Sequence, residues 1–336
     1  MSSFQKFGVI GGGAWGTALA AALVRAGRDV LLWAREGEVV TAINARHENE
    51  SFLPGVVLDP RLKATNSLAD LSACEAWLLV TPVQHTRALC AQLATLAASP
   101  RIPLILCSKG IELGTLKLPS TLMAETLPAH PLAVLSGPSF AREVALGQPT
   151  AVTLACADSA LAQALVQAIG SRTFRPYASD DVLGAQIGGA IKNVLALATG
   201  IATGCAMGEN ARAALMTRGL AEMMRLGVAL GAKAETLMGL SGLGDLTLTC
   251  ASMQSRNMSL GVALGQGQSL ADILASRNSV AEGVPTTAAA VTLAHKLGVE
   301  MPIIEAVDAI LNKGARVEDT VAALLARPFK AERNAS

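Results

Sequence analysis

The stretch that most restricts what this chain can fold into lies near its start. Phe7-Gly8-Val9-Ile10 is apolar enough for a buried strand, and Gly11-Gly12-Gly13-Ala14-Trp15-Gly16-Thr17 leads from it into an alanine-rich helix over 18–26. Strand, glycine turn and helix in that order fit a Gly-x-Gly-x-x-Gly fingerprint. Gly11 permits the tight turn, Gly13 lets the backbone approach a pyrophosphate, and Gly16 lets the helix pack on the strand. Free N–H groups and the positive dipole end at the helix start then suit phosphate. The expectation is an α/β fold: a mostly parallel sheet of the Rossmann type with helices on both faces and a dinucleotide at its carboxyl edge.

The second strand, Asp29-Val30-Leu31-Leu32-Trp33, ends where such folds often carry an acidic residue for the ribose hydroxyls, but the chain reads Ala34-Arg35-Glu36. A guanidinium there favours a 2′-phosphate, so NADPH/NADP is preferred, while Glu36 keeps NADH/NAD possible. Further strands are expected at 76–80, 103–107, 132–135, 151–155 and 173–177, with a helix over 159–169. Three of them run into loops of polar residues and glycine: Thr81-Pro82-Val83, Ser108-Lys109-Gly110 and Ser136-Gly137-Pro138-Ser139-Phe140-Ala141. In an open parallel sheet these loops and the Gly11 turn converge on one crevice.

After Ser179 the strand signals stop. Helices are expected over 181–203, 210–230, 255–264, 270–276, 286–297, 303–312 and 317–326. That pattern divides the 336 residues into a nucleotide-binding domain (1–180), an all-helical substrate domain (181–327) and a polar tail (328–336). Twenty-seven Lys and Arg against 26 Asp and Glu give a formal charge of +1, with no electrostatic footprint for nucleic acid or anionic lipid. Small-molecule partners are expected instead. The six cysteines and four histidines lack zinc or disulfide spacing, and the first residues are too polar for a signal peptide. The reading is a cytoplasmic protein without a metal site.

The helix expected over 181–203 carries one cation, Lys192, on a small and apolar background. Helical spacing puts Ala185, Gly188, Gly189, Ala196 and Thr199 on its face, a bare surface with room for cofactor and substrate beside the ammonium. No membrane span is expected, because a central lysine costs roughly 2.5–3.5 kcal/mol on insertion. A lysine snorkelling from a core helix to water is the plainer alternative. Further on, the run from Leu240 to Cys250 reads as a loop cluster, with Asp245 on a tight turn or capping a following helix. Ser255 reads as an N-cap with Arg256 and Asn257 in the first turn. A cation there opposes the helix dipole and invites an anion. Arg218, Glu222 and Arg225 read as a solvated stripe, and Met216, Met223 and Met224 as core or the face of a possible homodimer.

Taken in order, six motifs carry a resemblance. Gly11-Gly12-Gly13-Ala14-Trp15-Gly16-Thr17-Ala18, Ser108-Lys109-Gly110, Ser136-Gly137-Pro138-Ser139-Phe140-Ala141, Gly189-Ala190-Ile191-Lys192-Asn193, Gly242-Leu243-Gly244-Asp245-Leu246 and Gln254-Ser255-Arg256-Asn257 resemble those of the bacterial NAD(P)-dependent sn-glycerol-3-phosphate dehydrogenases. The resemblance spans nearly the whole chain. It implies reversible reduction of dihydroxyacetone phosphate to sn-glycerol 3-phosphate, feeding phospholipid synthesis.

It also makes Lys192 the catalytic acid/base, supported by Lys109 and Asp245. Around the substrate it places Lys109, Gly137, Ser139, Lys192, Asp245, Ser255, Arg256 and Asn257, with Arg256 and Asn257 on the phosphate. Around the cofactor it places Gly11, Gly13, Ala14, Trp15, Gly16, Arg35, Lys109, Ala141 and Arg256, with Gly137 adjoining and Val280 and Glu282 approaching from the helical half. Ala14 stands where relatives often have serine, and Ser139 where many have threonine. Burial and Lys109 would lower the Lys192 pKa from near 10.4, whereas Asp245 would raise it. The sequence leaves the net direction open.

Overall fold

Alternation along the central strands decides the layering. The computed structural model describes residues 4–96, 102–276 and 281–329. Its eight-stranded sheet runs in the order β3-β2-β1-β4-β5-β6-β7-β8. The strands are β1 (Lys6–Ile10), β2 (Asp29–Trp33), β3 (Lys63–Thr65), β4 (Ala76–Leu79), β5 (Leu104–Leu106), β6 (Leu132–Ser136), β7 (Thr150–Ala155) and β8 (Phe174–Ser179). Every neighbouring pair is parallel except β6 and β7. Leu78, Ile105, Ala133 and Leu135 enter one core, whereas Trp77, Leu79, Leu104, Leu106 and Val134 enter another. Both sheet faces are therefore covered, as a parallel sheet of continuous apolar runs requires.

The first core receives α1 (Ala14–Arg25), α2 (Gly37–Arg46), α5 (Ala141–Ala145) and α6 (Ser159–Ile169), and the second receives α3 (Val83–Thr95) and α4 (Pro119–Thr126). Two details differ from the sequence reading. The helix after the glycine turn starts at Ala14 rather than residue 18, because Gly13 is extended and serves as N-cap. The edge strand β3 was not expected; three residues are too few to show an alternating pattern, and it forms by pairing with β2.

Beyond β8 the described residues are helical: α7 (Val182–Gly204), α8 (Glu209–Ala229), α9 (Ala234–Leu237), α10 (Asp245–Cys250), α11 (Arg256–Gly265), α12 (Leu270–Ala275), α13 (Gly283–Leu297), α14 (Pro302–Lys313) and α15 (Val317–Leu325). Asp181 starts α7 by accepting from the Gly184 N–H at 2.8 Å, and its other oxygen accepts from the Lys233 N–H at 2.9 Å. α7 is long and apolar enough to cross a membrane, but 89% of its apolar window is buried inside the protein. The helices α8, α10, α11, α13 and α14 surround it, so its hydrophobicity is that of a core element.

Small residues set how closely α11 meets α7. A Cβ on Gly200 would lie 2.3 Å from the Met258 carbonyl oxygen, and one on Gly261 would lie 2.3 Å from the Leu197 carbonyl oxygen. The two backbones therefore touch, and only glycine fits at the crossing. α8 differs from the sequence reading. Glu222 is not on a solvated stripe; it is 2% exposed and accepts from the Ile303 and Ile304 N–H groups at 2.9 and 3.3 Å. It meets the unpaired donors at the start of α14, which no helical-wheel argument confined to α8 could reveal. Burial pushes its carboxyl up to about 7. Met223 is core, with Met216 and Met224 packed against it.

Candidate active site

Parallel register brings the loops together. Ile10, Leu79 and Leu106 lie side by side at the carboxyl ends of β1, β4 and β5, with Val134 of β6 beside Leu106. The strand order reverses at β1, so a crevice opens above β1 and β4. Gly11 turns the chain with φ +132°, and a Cβ on Gly16 would lie only 1.8 Å from the Gly11 carbonyl oxygen. A Cβ at Gly13 would meet nothing within 4 Å, and no side chain caps α1. The helix start thus presents its donors to open space. Trp15 Nε1, Thr81 Oγ1 and Ser136 Oγ are buried without a partner, and each belongs to the glycine turn or a loop of this edge. These features fit a dinucleotide. At the end of β2, Arg35 is 81% exposed and pairs with Glu36 at 2.8 Å.

The loops after β5 and β6 meet the helical half at a group of charges. Lys192 on α7 is 8% exposed and Asp245 on α10 is 1% exposed. Asp245 Oδ1 accepts from Lys192 Nζ at 2.8 Å and Oδ2 from Lys109 Nζ at 2.6 Å. Lys109 also donates to the Gly137 carbonyl oxygen at 3.1 Å, and Lys192 to Thr249 Oγ1 at 2.8 Å. Burial pulls the Lys192 ammonium down to about 8; Asp245 opposes that shift and Lys109 adds to it. The direction left open by the sequence is therefore downward. Burial alone would raise the Asp245 carboxyl, but the two ammoniums outweigh it and hold it below the usual carboxylate range.

A chain of amides extends the site. Asn193 donates to the Lys109 carbonyl oxygen at 3.3 Å and accepts from Asn257 Nδ2 at 3.0 Å, while Asn257 Oδ1 accepts from the Gly283 N–H at 3.0 Å. Glu282, next to Gly283, accepts from the Val83 N–H at the start of α3 at 3.2 Å. Its second oxygen is buried without a described partner, and burial pushes its carboxyl up to about 7. Ser255 caps α11 by accepting from the Met258 N–H at 3.1 Å, leaving Arg256 at the helix's exposed first position.

Two family models match the chain: the NAD-dependent glycerol-3-phosphate dehydrogenase N-terminus over residues 6–162 and the corresponding C-terminus over 181–322. The chain belongs to that family. Members similar to it include the glycerol-3-phosphate dehydrogenases (NAD(P)+) of Parvibaculum lavamentivorans and Rhodospirillum rubrum. The first is 56% identical over 98% of this chain and 99% of its own length, the second 59% over 96% and 93%. The solved glycerol-3-phosphate dehydrogenase of Coxiella burnetii superposes with a TM-score of 0.92 at 38% identity, covering 96% of this chain and 99% of that one.

For this member of the glycerol-3-phosphate dehydrogenase family, the expected site residues divide by location. Lys109, Gly137, Lys192 and Asp245 are linked directly by hydrogen bonds. Ser139 joins that set by donating to the Gly137 carbonyl oxygen at 2.9 Å. Ser255, Arg256 and Asn257 open α11, tied to Lys109 through Asn193. Gly11, Gly13, Ala14, Trp15 and Gly16 form the turn over β1, Ala141 opens α5, and Arg35 lies apart at the end of β2. Val280 falls outside the described residues.

Two expectations are corrected. Asp245 is neither on a loop turn nor an N-cap: a π-helical turn over Leu240–Gly244 runs straight into α10, whose first residue is Asp245. Gly242, which suggested a loop, allows close packing instead, since a Cβ there would lie 1.9 Å from the Leu237 carbonyl oxygen, and Gly188 of α7 meets the same turn, where a Cβ would lie 2.3 Å from the Ser241 carbonyl oxygen. The bare face beside Lys192 is accordingly filled by protein. Gly188 is covered by the 240–244 turn, and a Cβ on Gly189 would meet Ser136 Oγ at 2.8 Å and Lys109 Cγ at 3.2 Å. Thr249 was missed. Four residues beyond Asp245, it shares that residue's helical face, which reading 245–250 as helix would have exposed.

Proposed function

We propose that this protein catalyses reversible hydride transfer between NADPH and dihydroxyacetone phosphate, giving sn-glycerol 3-phosphate, the backbone of glycerophospholipids, with Lys192 as general acid and base. The observation that carries this reading is the buried pairing of Lys192 with Asp245 and Thr249 where the two halves of the chain meet. The uncapped start of α1 would hold the cofactor's pyrophosphate, and the reduced nicotinamide would supply the hydride. The residues supply what remains. Lys192 Nζ gives a proton to the carbonyl oxygen as it becomes an alkoxide, and in the reverse direction takes it from the hydroxyl. A pKa of about 8 lets one ammonium serve both directions near neutral pH.

Asp245 keeps Lys192 charged and aims it, and Lys109 balances the same carboxylate from the nucleotide-binding side. Arg256, the Ser255 hydroxyl and the first-turn N–H groups of α11 hold the substrate phosphate. Asn257 contributes its backbone N–H and the second N–H of Nδ2, whose first is donated to Asn193. Binding energy at the phosphate orients the ketone for reaction. Glu282 borders the cofactor through its unpaired oxygen. An exposed guanidinium at Arg35 supports a preference for NADPH over NADH. The test is loss of NADPH absorbance on adding dihydroxyacetone phosphate, repeated with NADH and with a keto acid. Turnover with the keto acid alone would refute the proposed substrate.

A further inference from the structure

We propose that Asn49 is a positioning residue for cofactor binding: by holding the Gly12 carbonyl, it aims the N–H of Gly13, at the other side of the same peptide, for the cofactor's pyrophosphate. The proposal rests on the family's nicotinamide cofactor and not on the substrate or reaction proposed above. Asn49 lies outside the six motifs, in the segment between α2 and β3, and is 1% exposed. Both N–H groups of its amide are spent on the glycine turn and its helix. Nδ2 donates to the Gly12 carbonyl oxygen at 2.8 Å and to Thr17 Oγ1 at 2.7 Å. Thr17, accepting there, turns its own hydroxyl to the same Gly12 oxygen at 3.5 Å. Asn49 Oδ1 accepts from the Phe52 N–H at 3.2 Å.

The turn keeps its place without Asn49, but one peptide in it depends on that side chain for its direction. Gly12 is seated just past β2, where a Cβ would lie 2.4 Å from Ala34 Cβ, and Gly16 is seated on Gly11. Gly13 differs, since a Cβ there would meet nothing within 4 Å. The Gly12–Gly13 peptide can therefore rotate about the line joining its two Cα atoms without displacing either, and glycine accepts either sign of φ. Being trans, the peptide points its N–H away from its carbonyl. With the carbonyl drawn inward to Asn49, the Gly13 N–H faces outward at the uncapped start of α1. Rotated, the same peptide would turn a carbonyl oxygen towards a diphosphate and repel it.

The segment carrying Asn49 has its own supports. The Leu53 N–H donates to the Asn49 carbonyl oxygen at 2.7 Å and the Leu58 N–H to the His47 carbonyl oxygen at 2.8 Å. Arg142 holds the Pro54 carbonyl oxygen at 2.7 Å, and Leu53, Val56 and Leu58 are core. Shortening the Asn49 side chain thus releases the direction of one N–H group and leaves the segment in place.

The experiment compares full-length wild type with Asn49→Ala and Asn49→Leu. NADPH and NADH binding are read by fluorescence titration without substrate. Adenosine 2′-phosphate, which shares the adenosine end of NADPH and lacks the pyrophosphate, is read by its displacement of NADPH. The expected result is about tenfold weaker binding of both dinucleotides, the order of one hydrogen bond to a charged group, with adenosine 2′-phosphate changed less than threefold. Unchanged dinucleotide affinity, a loss confined to one dinucleotide, or an equal loss for adenosine 2′-phosphate overturns the proposal; the last is what a displaced segment would give. Asn49→Leu keeps the volume and removes the same donors, so it decides should Asn49→Ala fail to fold by thermal melting. Failure of both to fold overturns the proposal by making Asn49 a support of the whole domain. Wild type that binds neither dinucleotide would refute the cofactor and the proposal with it, whereas the other failures touch Asn49 alone.

Discussion

Asp245→Asn removes the one carboxylate shared by Lys192 and Lys109 and keeps its shape. A buried ammonium, Lys192, and a half-buried one, Lys109, then face each other across a neutral amide. A charge pair about 4 Å apart is worth roughly 4 kcal/mol at an effective dielectric near 20, and cutting a buried pair usually costs about 3–5 kcal/mol. The loss of stability should be smaller here. Lys192 titrates at about 8 in the intact site, so releasing its proton at pH 7 costs only about 1.4 kcal/mol. The lysine sheds its charge before the full penalty develops, and its pKa falls to between about 5 and 7.

The kinetic consequence has a definite sign. Ketone reduction needs the ammonium, so its rate is full below the Lys192 pKa and falls as pH rises through it. The wild-type profile should fall near pH 8 and that of the variant one to three pH units lower. With a variant pKa of about 6, the protonated fraction at pH 7.5 drops roughly 25-fold, and the deficit shrinks steadily towards pH 5. Alcohol oxidation needs the free amine, and its rising limb moves to lower pH in the same way. Saturating NADPH oxidation and NADP reduction between pH 5 and 9.5 measure both. A deficit that stays constant with pH, or a limb still at pH 8, would refute the claim that Asp245 acts by holding the Lys192 proton.

The other substitutions separate binding from chemistry. Lys192→Ala should abolish turnover while NADPH titrates with nearly unchanged affinity; substantial residual activity would rule out its role as acid. Arg256→Ala should raise KM for dihydroxyacetone phosphate about 10- to 100-fold, the worth of one charge-assisted hydrogen bond, and an unchanged KM would remove it from the phosphate. Arg35→Ala should weaken NADPH far more than NADH without shifting the melting temperature, since its exposed pair with Glu36 contributes little; equal losses for the two cofactors would contradict the 2′-phosphate assignment. Gly200→Ala should lower the melting temperature by several degrees, as overpacking costs about 1–3 kcal/mol; an unchanged melt would show that the α7–α11 crossing is not as tight as described.

How much of this was legible in the sequence depended on how local each signal was. The Gly11 turn announced itself because its strand, glycines and helix are consecutive. Lys192 stood out as a lone cation in an apolar helix, and Ser255 was readable as a cap from its own next three residues. By contrast, the π-helical turn before Asp245 depends on packing against Gly188, more than fifty residues earlier in the chain. The same holds for Glu222, whose partners are backbone donors of α14. The chain from Lys109 to Glu282 draws on four separate segments, and its asparagines carry no periodic or charge signal. The Lys192 pKa required the degree of burial, which composition does not supply.

Gly200 and Gly261 do more than seat two helices. α7 carries the proposed proton donor and α11 the proposed phosphate anchor, and the crossing joins them as one rigid piece. The interval between Lys192 and Arg256 then acts as a fixed gauge. Under the proposed roles a substrate has to match that interval between its carbonyl oxygen and its phosphate, which would place selection by chain length in the backbone contact of Gly200 and Gly261.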